Sequence, residues 1–438
     1  MKEDGARAFS GPDSPALTDL LRCVHCGLCL NHCPTYTELS LETESPRGRL
    51  HLIRGVSQGR VPITANLVSH LDLCLQCRNC EAVCPSGVRY GHIMEGARAE
   101  IMRDGHGAPI AWRASRLLLR SFFSQPQRLR PFMTVLGLYQ RSGLAALAQA
   151  LPGPWRSLVQ MAPLVSPHPY DARGLVAAPS IGPPTLRVAL LTGCVMPYLF
   201  ANVHRATVRV LARQGCRVIV PEGQVCCGAL HLHTGDRQEA RRLARRNIDA
   251  FLAEDVDVVV IDAGGCGAAL KEYGELLKDD PRYAEKARRF SSMVREVTEL
   301  LADLPLADGL GRLPVAVTYQ DPCHLAHAQG IKAQPRALLR AIPGLELREM
   351  AQPDLCCGSA GLYSVFHPDM SRRLLRRKMR DVADTGASVI ATANPGCHLQ
   401  LEAGLRLHGL PGRVVHVVEL LDEAYRAGRP ARTVSAGG

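Results

Sequence analysis

Eight cysteines near the N-terminus constrain the fold of this chain more than any other residues. Cys23, Cys26, Cys29 and Cys33 are spaced C-x2-C-x2-C-x3-C and followed by Pro34; Cys74, Cys77, Cys80 and Cys84 repeat that spacing before Pro85. Three thiols packed this closely wrap a tight loop around one centre, and the run is the one bacterial ferredoxins use for 4Fe–4S cubanes. Where two such runs occur together, the fourth cysteine of each serves the other cluster. The expected ligand sets are therefore Cys23, Cys26, Cys29 and Cys84 for one cubane, and Cys74, Cys77, Cys80 and Cys33 for the second. Each trailing proline is expected to turn the chain away, having no N–H with which to continue a helix. Zinc also takes four thiolates, but zinc ribbons pair two C-x2-C knuckles across a longer gap, so iron–sulfur is the reading for both runs.

The chain holds 17 cysteines in 438 residues. In a reducing compartment such numbers indicate metal ligands or catalytic groups before disulfides. MKEDGARAFS is charged and lacks the apolar core of a secretory leader. No run of about 18 apolar residues marks a membrane span. The expectation is a cytoplasmic protein, with a peripheral place on the cytoplasmic face of the inner membrane left open. A net charge of +11 would suit nucleic acid, anionic lipid or an acidic partner. No basic motif interleaved with aromatics accompanies it, so nucleic acid is not expected.

Between the runs lies ETESPRGR, Glu42 to Arg49. Two readings stand for it: Arg47 and Arg49 sit near the clusters, where local charge tunes their potential, or they are surface arginines on a solvated turn. Residues 105–170 contain seven arginines and no Asp or Glu, with Leu117, Leu118, Leu119, Phe122, Phe123, Phe132, Leu136, Leu138, Leu144 and Leu147 interspersed. Such a stretch lies on an anionic membrane surface, docks a partner, or folds as short helices on the protein's own core. Pro126, Pro131, Pro152 and Pro154 break it into pieces. Six further prolines between Pro163 and Pro184 read as a linker and a domain boundary.

The C-terminal half is a tandem repeat. Cys194 matches Cys323 at an offset of 129, Cys226-Cys227-Gly228 matches Cys356-Cys357-Gly358 at 130, and Cys266 matches Cys397 at 131. Apolar strands (Val188–Leu191, Val256–Ile261, Val315–Val317, Val389–Ile390) alternate with helical periodicity, as at Ala240, Leu243, Ala244, Ile248 and Phe251. Each copy is expected to be an α/β unit with its cysteines in loops at one sheet edge. Cys194, Cys226, Cys227 and Cys266 make a candidate third centre, and Cys323, Cys356, Cys357 and Cys397 a fourth. Further iron–sulfur clusters, zinc or exchanging thiols all suit such sets, with iron–sulfur preferred. Cys216 has no counterpart and reads as a buried structural cysteine. His231, His233, His324, His327 and His398 flank the loops; any one of them is able to ligate a metal or carry a proton, and singly each reads as a surface or hydrogen-bonded residue.

The fold expected is thus α/β and α+β multidomain: a two-cluster ferredoxin-type helical domain over 15–104, a basic helical segment and Pro-rich linker over 105–184, and Cys-Cys-Gly domains over 185–308 and 309–430. The order CVHCGLCLNHCP, ESPRGR, CLQCRNCEAVCPSG and two Cys-Cys-Gly modules resembles the iron–sulfur subunit of glycolate oxidase over residues 20–425. It is more loosely similar to the corresponding subunits of D-lactate and anaerobic glycerol-3-phosphate dehydrogenases and to heterodisulfide reductase. The resemblance implies that an FAD-containing flavoprotein oxidises a 2-hydroxy acid such as glycolate, and that this chain passes the electrons on, towards quinone or another acceptor. It implies no catalysis of that oxidation by this chain alone, which shows no glycine fingerprint for a flavin or nicotinamide nucleotide. In the heterodisulfide reductase relatives, Cys-Cys-Gly modules ending in C-x2-C hold a noncubane cluster. Here Ala269 and Gln400 stand at the last cysteine positions, which argues against a five-thiolate centre and against a disulfide-reducing role.

Overall fold

The computed structural model describes residues 9–105, 108–142, 163–180 and 182–428. Leu144, Leu147, Pro152 and Pro154 lie outside them. The architecture is α/β and multidomain, with a helical N-terminal region followed by two parallel-sheet modules.

The N-terminal region is built from short helices around the cysteine runs. Pro46–Ser57 begins where the Ser45 hydroxyl accepts from the Gly48 amide at 2.9 Å and Pro46 occupies the first turn. Leu50, Ile53 and Val56 fall on one face and pack with Leu67, Leu71, Ile93 and Met94. One of two open readings is decided here and one expectation is corrected. Arg49 is no surface residue: it is 1% exposed and follows a capped helix start rather than a solvated turn. Pro34 does not turn the chain away, because it opens the helix Pro34–Leu39, where a missing N–H is no loss.

In the basic segment, helices Ile110–Leu118 and Pro126–Arg141 are linked by a π-turn, Leu119–Phe123. Pro131 is accommodated inside the second helix. Leu119, Leu129 and Met133 are buried, whereas Ile110, Leu117, Phe132, Val135 and Leu138 stay exposed. The segment is fixed to the first sheet module by Arg120, whose guanidinium donates to both Asp236 oxygens at 2.6 and 2.7 Å, and by Ser124 and His231 at 3.0 Å.

The first sheet runs β1 (Val176–Ala177), β3 (Cys216–Ile219), β2 (Leu186–Leu191), β4 (Val258–Ile261), β5 (Val294–Glu296), with only β1 antiparallel. The second runs β7 (Glu346–Leu347), β6 (Ala316–Tyr319), β8 (Val389–Thr392), β9 (Arg413–His416), all parallel. The order β3-β2-β4-β5 is thus repeated as β7-β6-β8-β9. Because both faces of a parallel sheet are covered, its strands read as the unbroken apolar runs seen in the sequence. The two modules share one core, in which Val188, Val260 and Phe251 belong with Val317, Val389 and Leu421.

Candidate metal centres

The two ferredoxin-type runs come together crosswise. One cavity is lined by Cys23, Cys26, Cys29, Cys80 and Cys84, and a second by Cys33, Cys74, Cys77 and again Cys80. Both loops are shaped by left-handed backbone at matching positions. His25 (φ 56°) corresponds to Gln76 (φ 53°), and Gly27 (φ 84°) to Arg78 (φ 60°). Non-glycine residues adopt this conformation at a cost of roughly 1–2 kcal/mol, and such strain concentrates at functional sites. It folds successive amides into the concave arrangement that suits an anionic centre.

The two sets differ in access. Cys26 is exposed and Cys23, Cys29 and Cys84 are half-buried, whereas Cys33, Cys74, Cys77 and Cys80 are all buried. Burial pushes the Cys29 thiol up to about 11, and the Cys77 and Cys80 thiols well above the usual value. Thiols this disfavoured as free thiolates gain most from an iron-bound state. The Gln76 amide donates to Cys74 Sγ at 3.4 Å, the Tyr90 hydroxyl to the same sulfur at 3.7 Å, and the Val88 amide to Cys84 Sγ at 3.5 Å. Such hydrogen bonds tune cluster potential. Arg47 and Arg49 each line one of the cavities. Arg49 bonds Glu44 Oε2 at 2.6 Å and the His70 carbonyl at 2.7 Å, a buried network that the surface reading missed. Its sequence signal was the register of Arg49 with the apolar face of Leu50, Ile53 and Val56.

All eight repeat cysteines stand at the C-terminal ends of parallel strands, where such sheets hold ligands. Cys194 follows β2, the Cys226-Cys227 pair follows β3, and Cys266 lies in the helix Gly264–Lys271 after β4. Cys323, the Cys356-Cys357 pair and Cys397 take the same places after β6, β7 and β8. Gly228 and Gly358 have φ of 85° and 86°, and a Cβ at Gly358 would sit 2.7 Å from the Ser371 carbonyl oxygen. The thiols interact in the order Cys194–Cys226–Cys227–Cys266 in one module and Cys323–Cys356–Cys357–Cys397 in the other. These interactions hold Cys226 and Cys357 well below the ordinary thiol value and push their neighbours above it. Among the described residues, no three His, Cys, Asp or Glu side chains converge tightly enough for one bare metal ion. The donor chemistry, four thiols in each set, suits an iron–sulfur cluster or zinc.

At the fifth position, Ala269 is buried and the Gln400 amide donates to the Ser371 hydroxyl at 3.0 Å. Neither offers sulfur. Cys216 is fully buried in the strand core. Among the flanking histidines, His231 bonds Ser124 Oγ, and His324 bonds the Gln76 carbonyl at 2.9 Å. His327 bonds the Asp354 carbonyl at 3.1 Å. His233 stacks edge-on to His324 at 4.9 Å, and His398 packs on Phe200 at 4.7 Å.

The centres are close neighbours. Cys77 of the inner ferredoxin-type set is buried in one cluster with Leu75, Cys356, Tyr363 and Leu374, against which Cys323 packs. The Tyr363 hydroxyl donates to the Leu73 carbonyl at 3.1 Å. The two repeat modules meet at their last cysteines: the Gly264 amide donates to the Ala393 carbonyl at 2.9 Å, and the Gly265 amide to Asn394 Oδ1 at 2.9 Å. No spacing rule in the sequence foretold these juxtapositions.

Comparison with known proteins bears on the same landmarks. Residues 19–88 match a 4Fe-4S dicluster domain, and 188–271 and 317–402 each match a cysteine-rich domain. Residues 111–160 match the linker region of the glycolate oxidase iron-sulfur subunit. The chain is 42% identical over 93% of its length to a probable glycolate oxidase iron-sulfur subunit of Bacillus subtilis, covering 94% of that protein. The chain belongs to the glycolate oxidase iron–sulfur subunit family. The subunit of that name from Escherichia coli is 36% identical over 92% of this chain and 94% of its own length. A fumarate reductase (CoM/CoB) subunit from Methanothermobacter marburgensis is 30% identical over 96% of this chain and 76% of its own. The family assignment makes the chain an iron–sulfur, electron-transfer subunit of an oxidoreductase. No helix among the described residues is long and apolar enough to cross a membrane.

Proposed function

We propose that this chain is the electron-transfer subunit of a glycolate-oxidising complex, with 4Fe–4S clusters at Cys23, Cys26, Cys29 and Cys84 and at Cys74, Cys77, Cys80 and Cys33. Clusters at both Cys-Cys-Gly sets extend the relay. An FAD-containing flavoprotein removes two electrons from the 2-hydroxy acid, and this subunit carries them singly to a quinone on the cytoplasmic side of the membrane. The observation that carries this reading is the burial of Cys77 against Cys323 and Cys356, which supports a relay from the inner ferredoxin-type set to a repeat set. The domain limits expected from sequence, 15–104, 105–184, 185–308 and 309–430, are retained in this proposal as the functional units.

The test uses the full chain, loaded anaerobically with iron and sulfide. Iron well above eight per chain, with cluster bleaching by glycolate only when the flavoprotein is present, is the expected result. Zinc in the repeat sites, or bleaching by glycolate without a flavoprotein, would overturn it. Replacing glycolate by D-lactate or glycerol 3-phosphate identifies the substrate through the partner.

A further inference from the structure

A cavity of about 250 Å³ stands over the thiols of Cys194 and Cys226. One wall is the basic segment, through Phe123, Leu129, Arg130 and Thr134; Tyr170 and Ala172 form another. Pro197 and Tyr198, just past Cys194, complete it. Resting on the reading above, in which quinone accepts the electrons, we propose that this cavity binds the quinone ring, making the first repeat centre the exit of the relay.

The chemistry of the walls selects that ligand class. Phe123, Leu129 and Tyr198 give them aromatic and apolar surface, and Arg130, Asp171, Arg173 and Gln224 give them nearly as much polar surface. The two guanidiniums are shared with one carboxylate: Arg130 reaches Asp171 at 3.2 Å and Arg173 reaches it at 3.4 Å. Little charge is left over for a small polyanion. The Tyr170 ring lines the cavity, while its hydroxyl is buried with no hydrogen-bond partner among the described residues. The outer face of the same wall helix exposes Phe132, Val135 and Leu138 at 49%, 65% and 57%. A ligand with an apolar tail finds a path there that a hydrophilic one does not need. At the other repeat set Cys356, Cys357 and Cys397 are buried and only Cys323 is half-buried, whereas in the first set Cys194 and Cys266 are both half-buried.

The reaction balances as quinone plus two electrons and two protons giving quinol. The electrons are those removed from the hydroxy acid by the flavoprotein, arriving one at a time, and the protons come from solvent.

The site is tested on the full-length, cluster-loaded chain with an azido-benzoquinone carrying a decyl tail, mapped by mass spectrometry. Labelling that decylbenzoquinone competes away should fall on the stretches 123–134 and 170–198. Ala172→Trp and Thr134→Trp, which fill the cavity from opposite walls at solvent-accessible positions, should each cut that labelling at least 10-fold while iron content stays at the wild-type level. Competed labelling elsewhere, or undiminished labelling in both variants, overturns the location and leaves the acceptor reading standing. If wild type shows no competed labelling and the dithionite-reduced chain gives electrons to ferricyanide but to no quinone, the acceptor reading itself fails.

Discussion

The two Cys-Cys-Gly modules repeat four parallel strands and four thiol positions, yet the residues around their thiols diverge. In the second module Lys378 is buried and donates to the Gln352 and Pro353 carbonyls; at the matching place the first module has Asn247, bonded to the Val225 amide and the Cys226 carbonyl. The second thiol set is packed against the ferredoxin-type domain, while the first opens onto a cavity. Even the helix that closes each module is capped differently. Glu296 caps Val297–Asp303 in a box with Glu299, and His416 caps Val417–Ala427 in a box with Glu419. Duplication supplied one scaffold twice; substitution around the thiols made one copy interior and the other an outlet.

The largest effects should come from the thiols themselves. Cys357→Ser is expected to slow electron passage from the ferredoxin-type centres to quinone by more than about 100-fold, or ~2.8 kcal/mol in barrier. Cys226→Ser should do the same to quinone reduction yet leave reduction of the second repeat centre at its wild-type rate in freeze-quenched electron paramagnetic resonance. Equal kinetics in both variants at the second centre would break the assignment of interior and outlet.

The caps give the next largest effect, and with opposite signs. Burial pushes the Glu296 carboxyl up to about 8 and the His416 imidazole down to about 4, with Asp262 close to both. A raised carboxyl contributes stability below the unfolded value near 4.5 that is lost as pH rises through 8. A depressed imidazole contributes stability above 6.5 that is lost as pH falls through 4. Each is on the order of 3–5 kcal/mol. Between 4.5 and 6.5 the two slopes oppose, so thermal midpoints should change little there and fall from 6.5 to 8 and from 4.5 to 4. Glu296→Gln should remove the fall above 6.5, and His416→Asn the fall below 4.5.

Glycine replacement separates the copies less strongly. Both glycines need left-handed backbone, costing alanine about 1–2 kcal/mol. Gly358→Ala adds a 2.7 Å clash with the Ser371 carbonyl, whereas the nearest atom to a Cβ at Gly228 is Ala240 Cα at 3.3 Å. Gly358→Ala should lower the thermal midpoint by several degrees more than Gly228→Ala. The smallest effect expected is redox: Lys378→Met should lower the potential of the second repeat centre by about 60 mV, near 1.4 kcal/mol for one electron, and leave the first unmoved in a potentiometric titration.

Much of this was legible in the sequence because thiol spacing is a local code. The ferredoxin-type runs declare their loop geometry within a dozen residues, and the offsets of 129, 130 and 131 declare the repeat. Parallel strands announced themselves as apolar runs. What stayed hidden depends on distant packing. Pro34 reads as a stop until its helix is seen to start there, and Arg49 reads as surface until Glu44 and His70 close around it. The meeting of Cys77 with Cys323, and of Gly265 with Asn394, arises from how modules stack, for which no periodicity exists.

The unequal burial of the two ferredoxin-type sets bears on how the protein is made and how it ages. Cys33, Cys74, Cys77 and Cys80 are shut between domains, while Cys26 meets solvent. The inner cluster must be inserted before the domains close and afterwards cannot be replaced without opening them. The outer one remains within reach of assembly factors and of oxidants alike. With the proposed ligand sets, iron is therefore expected to enter the inner set first and to leave the outer set first in air.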